Sequence, residues 1–159
     1  MATITSLLLP ATGNSNRGRM PYQVELIIDL TAQAIDFSAP DTVQCITLPA
    51  NTHILHAGVQ VVESATMNTG TNSTITLGAA DVDEYVTAFD IDGASDGAYA
   101  PSVTPSAEVV LATADTLDLV FAGDGATFTA GKLRVYAIMM DVATQGDTAA
   151  NEVDRDTLA

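Results

Sequence analysis

Two histidines, one cysteine and a run of acids are the side chains of this sequence with chemistry to offer. His53 and His56 stand three apart in the stretch HILH. On a regular strand, residues three apart point to opposite faces, so the pair is not expected to converge on one metal ion. The helical HExxH pattern of a zinc protease is absent. Cys45 lies between Gln44 and Ile46 in a stretch that reads as strand. A thiol nucleophile needs a base beside it and a lowered pKa. No nucleophile elbow accompanies Cys45, so a small buried thiol is expected unless His53 or His56 reaches it across a ladder.

The acids Asp81, Asp83, Glu84, Asp90, Asp92 and Asp96 crowd into sixteen residues. Asp90, Asp92 and Asp96 resemble an acidic calcium loop, which presents hard oxygen ligands at alternate positions. The EF-hand pattern fails, because Ala94 replaces the third ligand, Ser95 the required glycine, and no Glu closes the loop. These three stay as candidates for calcium in another geometry, with solvated turn acids as the simpler account. A pair of them would suit a glycosidase, but a sugar site is expected to show exposed aromatics, and the chain has no Trp, 4 Tyr and 4 Phe. P-loop, dinucleotide and GxSxG motifs are missing. The sequence therefore predicts no catalytic residue, no cofactor and no small-molecule substrate.

Charge narrows the partners. The formal net charge is −15, and no Lys or Arg occurs between Met20 and Gly131. Such a body is repelled by phosphate, because nucleic-acid affinity comes largely from Lys and Arg displacing counterions. Nucleic acid and anionic membranes are excluded as partners on this ground. No apolar run approaches the ~18 residues of a membrane span, and Leu7–Leu9 is too short for a signal-peptide core. The single cysteine excludes an internal disulfide and fits folding in a reducing cytoplasm. A chain of 159 residues suffices for one domain burying about 70% of its unfolded surface.

The elements that must position these residues read as β. Strands are expected at Tyr22–Asp29, Val43–Leu48, His53–Val62, Thr74–Leu77, Glu108–Leu111, Thr116–Ala122 and Lys132–Val142. Short strands separated by turn signals mark an antiparallel sandwich or barrel, and we expect an all-β antiparallel sandwich of about eight strands. One stretch changes period. Val82, Tyr85, Val86 and Phe89 fall at i, i+3, i+4 and i+7, with Asp81 and Glu84 placed as a capping box, predicting a short helix over 81–89. That helix is expected to bury Tyr85 and Phe89 and to close one end of the sandwich. Residues 1–20 read as an extended arm, 21–143 as the body and 144–159 as an acidic flexible tail.

Three segments in order, ITLPANTHILHAGVQVVES, TITLGAADVDEYVTAFDIDG, and TADTLDLVF leading through TAGKLRVYAIMMDV, are similar to the decoration or cement proteins on capsids of tailed bacteriophages. The resemblance spans about residues 43–142 and is one of pattern, without a chemical motif. It implies a jelly-roll-like sandwich, assembly as a homo-trimer, and attachment to the major capsid protein outside an icosahedral shell, after synthesis in the host cytoplasm. The arm is the expected capsid contact, through Leu7, Leu8, Leu9, Arg17 and Arg19, where two of the few cations lie. Two other readings stay open: a receptor- or carbohydrate-binding module of a virion fibre or tail, and a calcium-stabilised secreted module.

Overall fold

The structure of the chain is a computed structural model. It describes residues 3–4, 9–10, 21–32, 41–70, 72–101, 110–124 and 127–142, the first four as backbone only. Two short pieces, β1 (Thr3–Ile4) and β2 (Leu9–Pro10), precede β3 (Tyr22–Asp29), β4 (Asp41–Leu48), β5 (Thr52–Met67), β6 (Ser73–Gly78), β7 (Val86–Asp90), β8 (Asp115–Gly123) and β9 (Phe128–Asp141). The strands form two sheets, one ordered β1–β4–β8–β6–β7 with β2 also on β4, the other β3–β9–β5. Except for β1 and β2, which run parallel to β4, every named pair is antiparallel.

The two sheets face each other because the apolar residues of each strand fall at alternate positions. Leu117, Leu119 and Phe121 of β8 meet Leu133, Val135, Ala137 and Met139 of β9, with Val59 and Val61 of β5 and Ile75 and Leu77 of β6, all fully buried. Each large side chain buried this way contributes about 1.5–3 kcal/mol. From β3 to β6 the chain changes sheet at every step, then makes the β6–β7 hairpin, and changes again from β8 to β9.

Between β7 and β8 two described stretches of the chain, 97–100 and 110–111, form a strap on the outer edge of β5. The amides of Gly97 and Ala100 donate to the carbonyls of Val61 and Val59 at 2.8 and 2.9 Å, and Leu111 N–H donates to Thr52 O at 3.0 Å. An open strand edge invites pairing with another chain, and this strap occupies the edge of β5. Its second contact point lies in the expected Glu108–Leu111 strand. There Val110 forms only an isolated bridge with His53, and residues 108 and 109 lie outside the described residues.

No helix forms over 81–89. Residues 79–85 are turn and bend, and Val86–Asp90 is strand. Tyr85 is buried as expected at 2% exposure, but Val82 is 55% exposed and Phe89 only partly buried. The physical reason is the edge of β6. Leu77 pairs with Val86 and Ile75 with Phe89, and Tyr85 N–H donates to Leu77 O at 2.8 Å. An isolated nine-residue helix is marginal in water, whereas pairing satisfies the backbone on both strands. Glu84 does reach back, its carboxylate accepting from the amides of Ala79 and Ala80, so it caps a loop instead of a helix.

Candidate functional site

His53 and His56 lie on one face, contrary to the expectation of opposite faces. β5 pairs Ile54 with Met139 but His56 with Ile138, so Leu55 is an extra residue. Such a bulge places two residues opposite one and shifts the side-chain parity. His53 then lies opposite Met140 and His56 opposite Ile138, both on the outer face of the smaller sheet. His56 Nε2 is 3.3 Å from the hydroxyl of Tyr136, the rings are 5.7 Å apart, and Tyr99 meets Tyr136 edge-on at 6.3 Å. Tyr136 lies across Gly58, where a Cβ would come within 2.6 Å of its hydroxyl. Burial, then the nearby Tyr99, raises the Tyr136 pKa, so the phenol stays protonated. Sequence reasoning missed this aromatic cluster; the signal was a Gly on β5 in register with a Tyr on β9.

Cys45 is also the extra residue of a bulge. Gln44 pairs with Asp118 and Ile46 with Leu117, leaving Cys45 between them. Its thiol is fully buried and contacts Val43 O at 3.3 Å. Burial pushes its pKa well up, the reverse of what a nucleophile requires.

The calcium candidates have other engagements. Asp96 Oδ1 accepts both the amide and the hydroxyl of Ser64 at 2.6 Å, pinning the strap to β5. Asp90 Oδ1 accepts the Asp92 amide at 3.0 Å, and the backbone of Asp92 forms an isolated bridge with Ala65. Among the described residues, no three His, Cys, Asp or Glu side chains converge to hold a metal ion. The bonds from Ser64 hold the Asp96 carboxyl below the ordinary carboxylate range. Glu84 shifts the other way, raised chiefly by desolvation, and its Oε2 is buried without a hydrogen bond.

A shallow cleft of about 350 Å³ opens at one end of β4 and β8, between Gln44, Thr47, Leu48 and Thr116. Its polar groups serve one another: Gln44 Nε2 donates to Thr116 Oγ1 at 3.1 Å, and that hydroxyl donates to Asp118 Oδ1 at 2.6 Å. Burial raises the Asp118 carboxyl above its usual range. No nucleophile–base pair lines the cleft.

Of the five arm residues expected to make contacts, Leu7, Leu8, Arg17 and Arg19 lie outside the described residues. The backbone of Leu9 pairs with Ile46, and that of Ile4 with Val43, along the edge of β4.

No family model matches the chain, and no curated protein is similar to it. Solved structures are. A chain of the Ralstonia phage GP4 capsid superposes with a TM-score of 0.61 at 18% identity, over 86% of this chain and 99% of that one. A chain of the cyanophage Pam1 capsid asymmetric unit gives 0.58 at 19% identity, over 82% and 98%. A chain of the acid-stable capsid of Helicobacter pylori bacteriophage KHP30 gives 0.50 at 13% identity, over 76% and 86%. At such identities the likeness is one of fold.

Proposed function

We propose that this chain is a virion structural protein that decorates the outside of an icosahedral phage capsid and stabilises it by bridging adjacent capsid subunits. The observation that carries this reading is the pair of coverages. The matches to chains from the GP4 and Pam1 capsids span nearly the whole of those chains and most of this one, so each is itself a small β-sandwich of about this size. A small, complete sandwich within a capsid fits a decoration subunit.

The body supports the same reading. Its chain alternates between sheets, interrupted by the β6–β7 hairpin, and a strap stands where an eighth strand would lie; we read this as a jelly roll with one reduced strand. The acidic charge keeps the protein off nucleic acid and off neighbouring particles. We place the capsid contact on the arm, through Leu7, Leu8, Leu9, Arg17 and Arg19, and take the assembly to be a homo-trimer. Weak contacts from each protomer then add when several capsid subunits are engaged at once, a gain of about 10²–10⁴ over a single contact.

Deleting residues 2–19 tests this. The truncated protein is expected to lose its place on purified particles while its body still melts cooperatively, somewhat lower because the β4 edge is uncovered. Full occupancy by the truncated protein would overturn the arm as the contact. Absence of the full chain from particles would overturn the decoration reading altogether.

A further inference from the structure

The outer face of the smaller sheet does not have the composition of a face left in water. Among the described residues, four of the five exposed large apolar side chains lie on it: Ile27, Leu55, Tyr99 and Val110, between 43 and 59% exposed. Between them run the half-buried Tyr136, Ile138 and Met140 of β9. From Val135 to Met140 that strand reads VYAIMM, apolar at every position. A strand with one solvated face alternates; an unbroken apolar run belongs to a strand covered on both faces. Contiguous exposed apolar surface of this kind marks an interaction site.

Charge indicates the occupant. Among the described residues the Lys and Arg are Lys132 and Arg134, and both lie on this face with both histidines. Lys132 bonds Glu63 at 2.6 Å, and Arg134 donates to Gln60 at 2.9 Å with Glu25 at 3.7 Å. With Asp29 also opposite Lys132, the face sets Lys132 and Arg134 against Glu25, Asp29 and Glu63, close to neutral in a chain of net charge −15. Two copies of so acidic a chain repel across most orientations, and least across this one.

We infer that this face is an interface with a second copy of the chain. The inference rests on the homo-trimeric reading above, and it adds the surfaces. A ring of three joins two different patches on each copy. The second patch is the β6–β7 connection, where Val82, the remaining exposed large apolar side chain among the described residues, stands between Asp81 and Asp83. An apolar tip flanked by acids suits a face that carries aromatic and aliphatic groups beside the described cations.

The test uses the full chain and its mass by sedimentation equilibrium. Leu55→Glu and Val82→Glu alter exposed positions, and each is expected to give a folded monomer with a wild-type circular dichroism spectrum. Mixed in equal amounts they are expected to recover a two-copy complex, because each retains the patch that the other lost. Wild-type mass for Leu55→Glu overturns the inference, and so does a monomeric wild type. Two monomeric variants that fail to complement overturn the assignment of Val82. A protein that assembles this way yet never binds particles sinks the decoration reading and leaves the interface standing.

Discussion

Gly131 sits where β9 pairs with the bulged end of β5, and replacing it with alanine tests how closely the two strands approach. Its φ is +134°, a region that residues with a Cβ rarely adopt, and a Cβ there would lie 2.9 Å from the Cα of Ala65 and 2.9 Å from Leu30 Cδ1. Its carbonyl also accepts from Leu30 N–H at 3.0 Å, so the residue ties the end of β3 to β9. Backbone strain of this kind costs about 1–3 kcal/mol, and the overpacking against Ala65, a backbone contact that cannot rotate away, costs about 1–3 kcal/mol more. The expected loss for Gly131→Ala is therefore about 2–6 kcal/mol. For a domain of this size that lowers the melting temperature by about 4–24 °C, at ~2–4 °C per kcal/mol. Gly93 supplies the control, since its φ is +79° but nothing lies within 4 Å of its Cβ position. Gly93→Ala carries the strain alone and is expected to cost about 1–2 kcal/mol. Thermal unfolding followed by circular dichroism compares the two. If Gly131→Ala melts no lower than Gly93→Ala, the close approach of the bulged end of β5 to β9 is wrong.

Other outcomes follow from single contacts. Tyr85→Ala is expected to cost about 3–5 kcal/mol by chemical denaturation, and Phe89→Ala clearly less because Phe89 is only partly buried; equal losses would restore the idea that both plug the sandwich. Asp118 has a raised pKa through burial, so its ionised form destabilises the fold above that pKa and the penalty disappears as acid protonates it. Asp118→Asn should thus raise the melting temperature at neutral pH, with the gain shrinking on acidification, and a gain that is independent of pH would contradict the buried-charge account. Asp96 behaves in the opposite sense. Its lowered pKa gives stability that is complete above the ordinary carboxylate range and is lost as pH falls through its own value. Ser64→Ala should move its midpoint upward in a carboxylate NMR titration; an unmoved midpoint would mean that the Ser64 hydroxyl is not bonded to it. Cys45 should react with a thiol reagent only at the rate of global unfolding, and fast native labelling would show that the bulge opens.

Most of the fold was legible wherever strands keep a strict period of two. Tyr22–Asp29 is a strand with the expected ends, and the inward sets of β8 and β9 are those the alternation selects. Residues 1–20 were less legible as an element. The pieces at Thr3–Ile4 and Leu9–Pro10 pair with β4 through backbone groups, which carry no residue-type signal. The aromatic cluster on the smaller sheet was hidden for a related reason. His56, Tyr99 and Tyr136 are up to eighty residues apart in sequence, and only the register of β5 against β9 and the strap brings them together.

The failures share one physical cause, the β-bulge. An extra residue on one strand adds one to the spacing between successive inward positions, turning two into three. Between Val86 and Phe89 β7 advances three residues while β6 advances two from Leu77 to Ile75, and Tyr85 is buried just before them. Buried Tyr85 and Val86 with partly buried Phe89 thus imitate the three-and-four spacing of a helix, although Val82, the fourth member of the pattern, is exposed. The same arithmetic puts His53 and His56 on one face and leaves Cys45 and Ile46 both buried. In a chain already read as antiparallel, a spacing of three inside an apolar stretch shorter than a stable helix argues for a bulge. Three such shifts lie along the sixteen residues of β5, and at a fourth, between Thr66 and Met67, the extra residue is on β9. Each bends and twists the strand further, which lets one continuous strand lie against β9 over most of its length and still turn into the loop that leads to β6. Removing the extra residue at Leu55 would test this directly. Deletion of Leu55 restores strict alternation, with Ile54 still opposite Met139 and His56 opposite Ile138, so every remaining side chain keeps its face. Only the bend is removed, so β5 must pack its inward side chains along a straighter path, and the expected result is a loss of stability of the size that forced core shifts cost, about 1–3 kcal/mol. A deletion variant as stable as the wild type would show that the bulge is incidental to the fold.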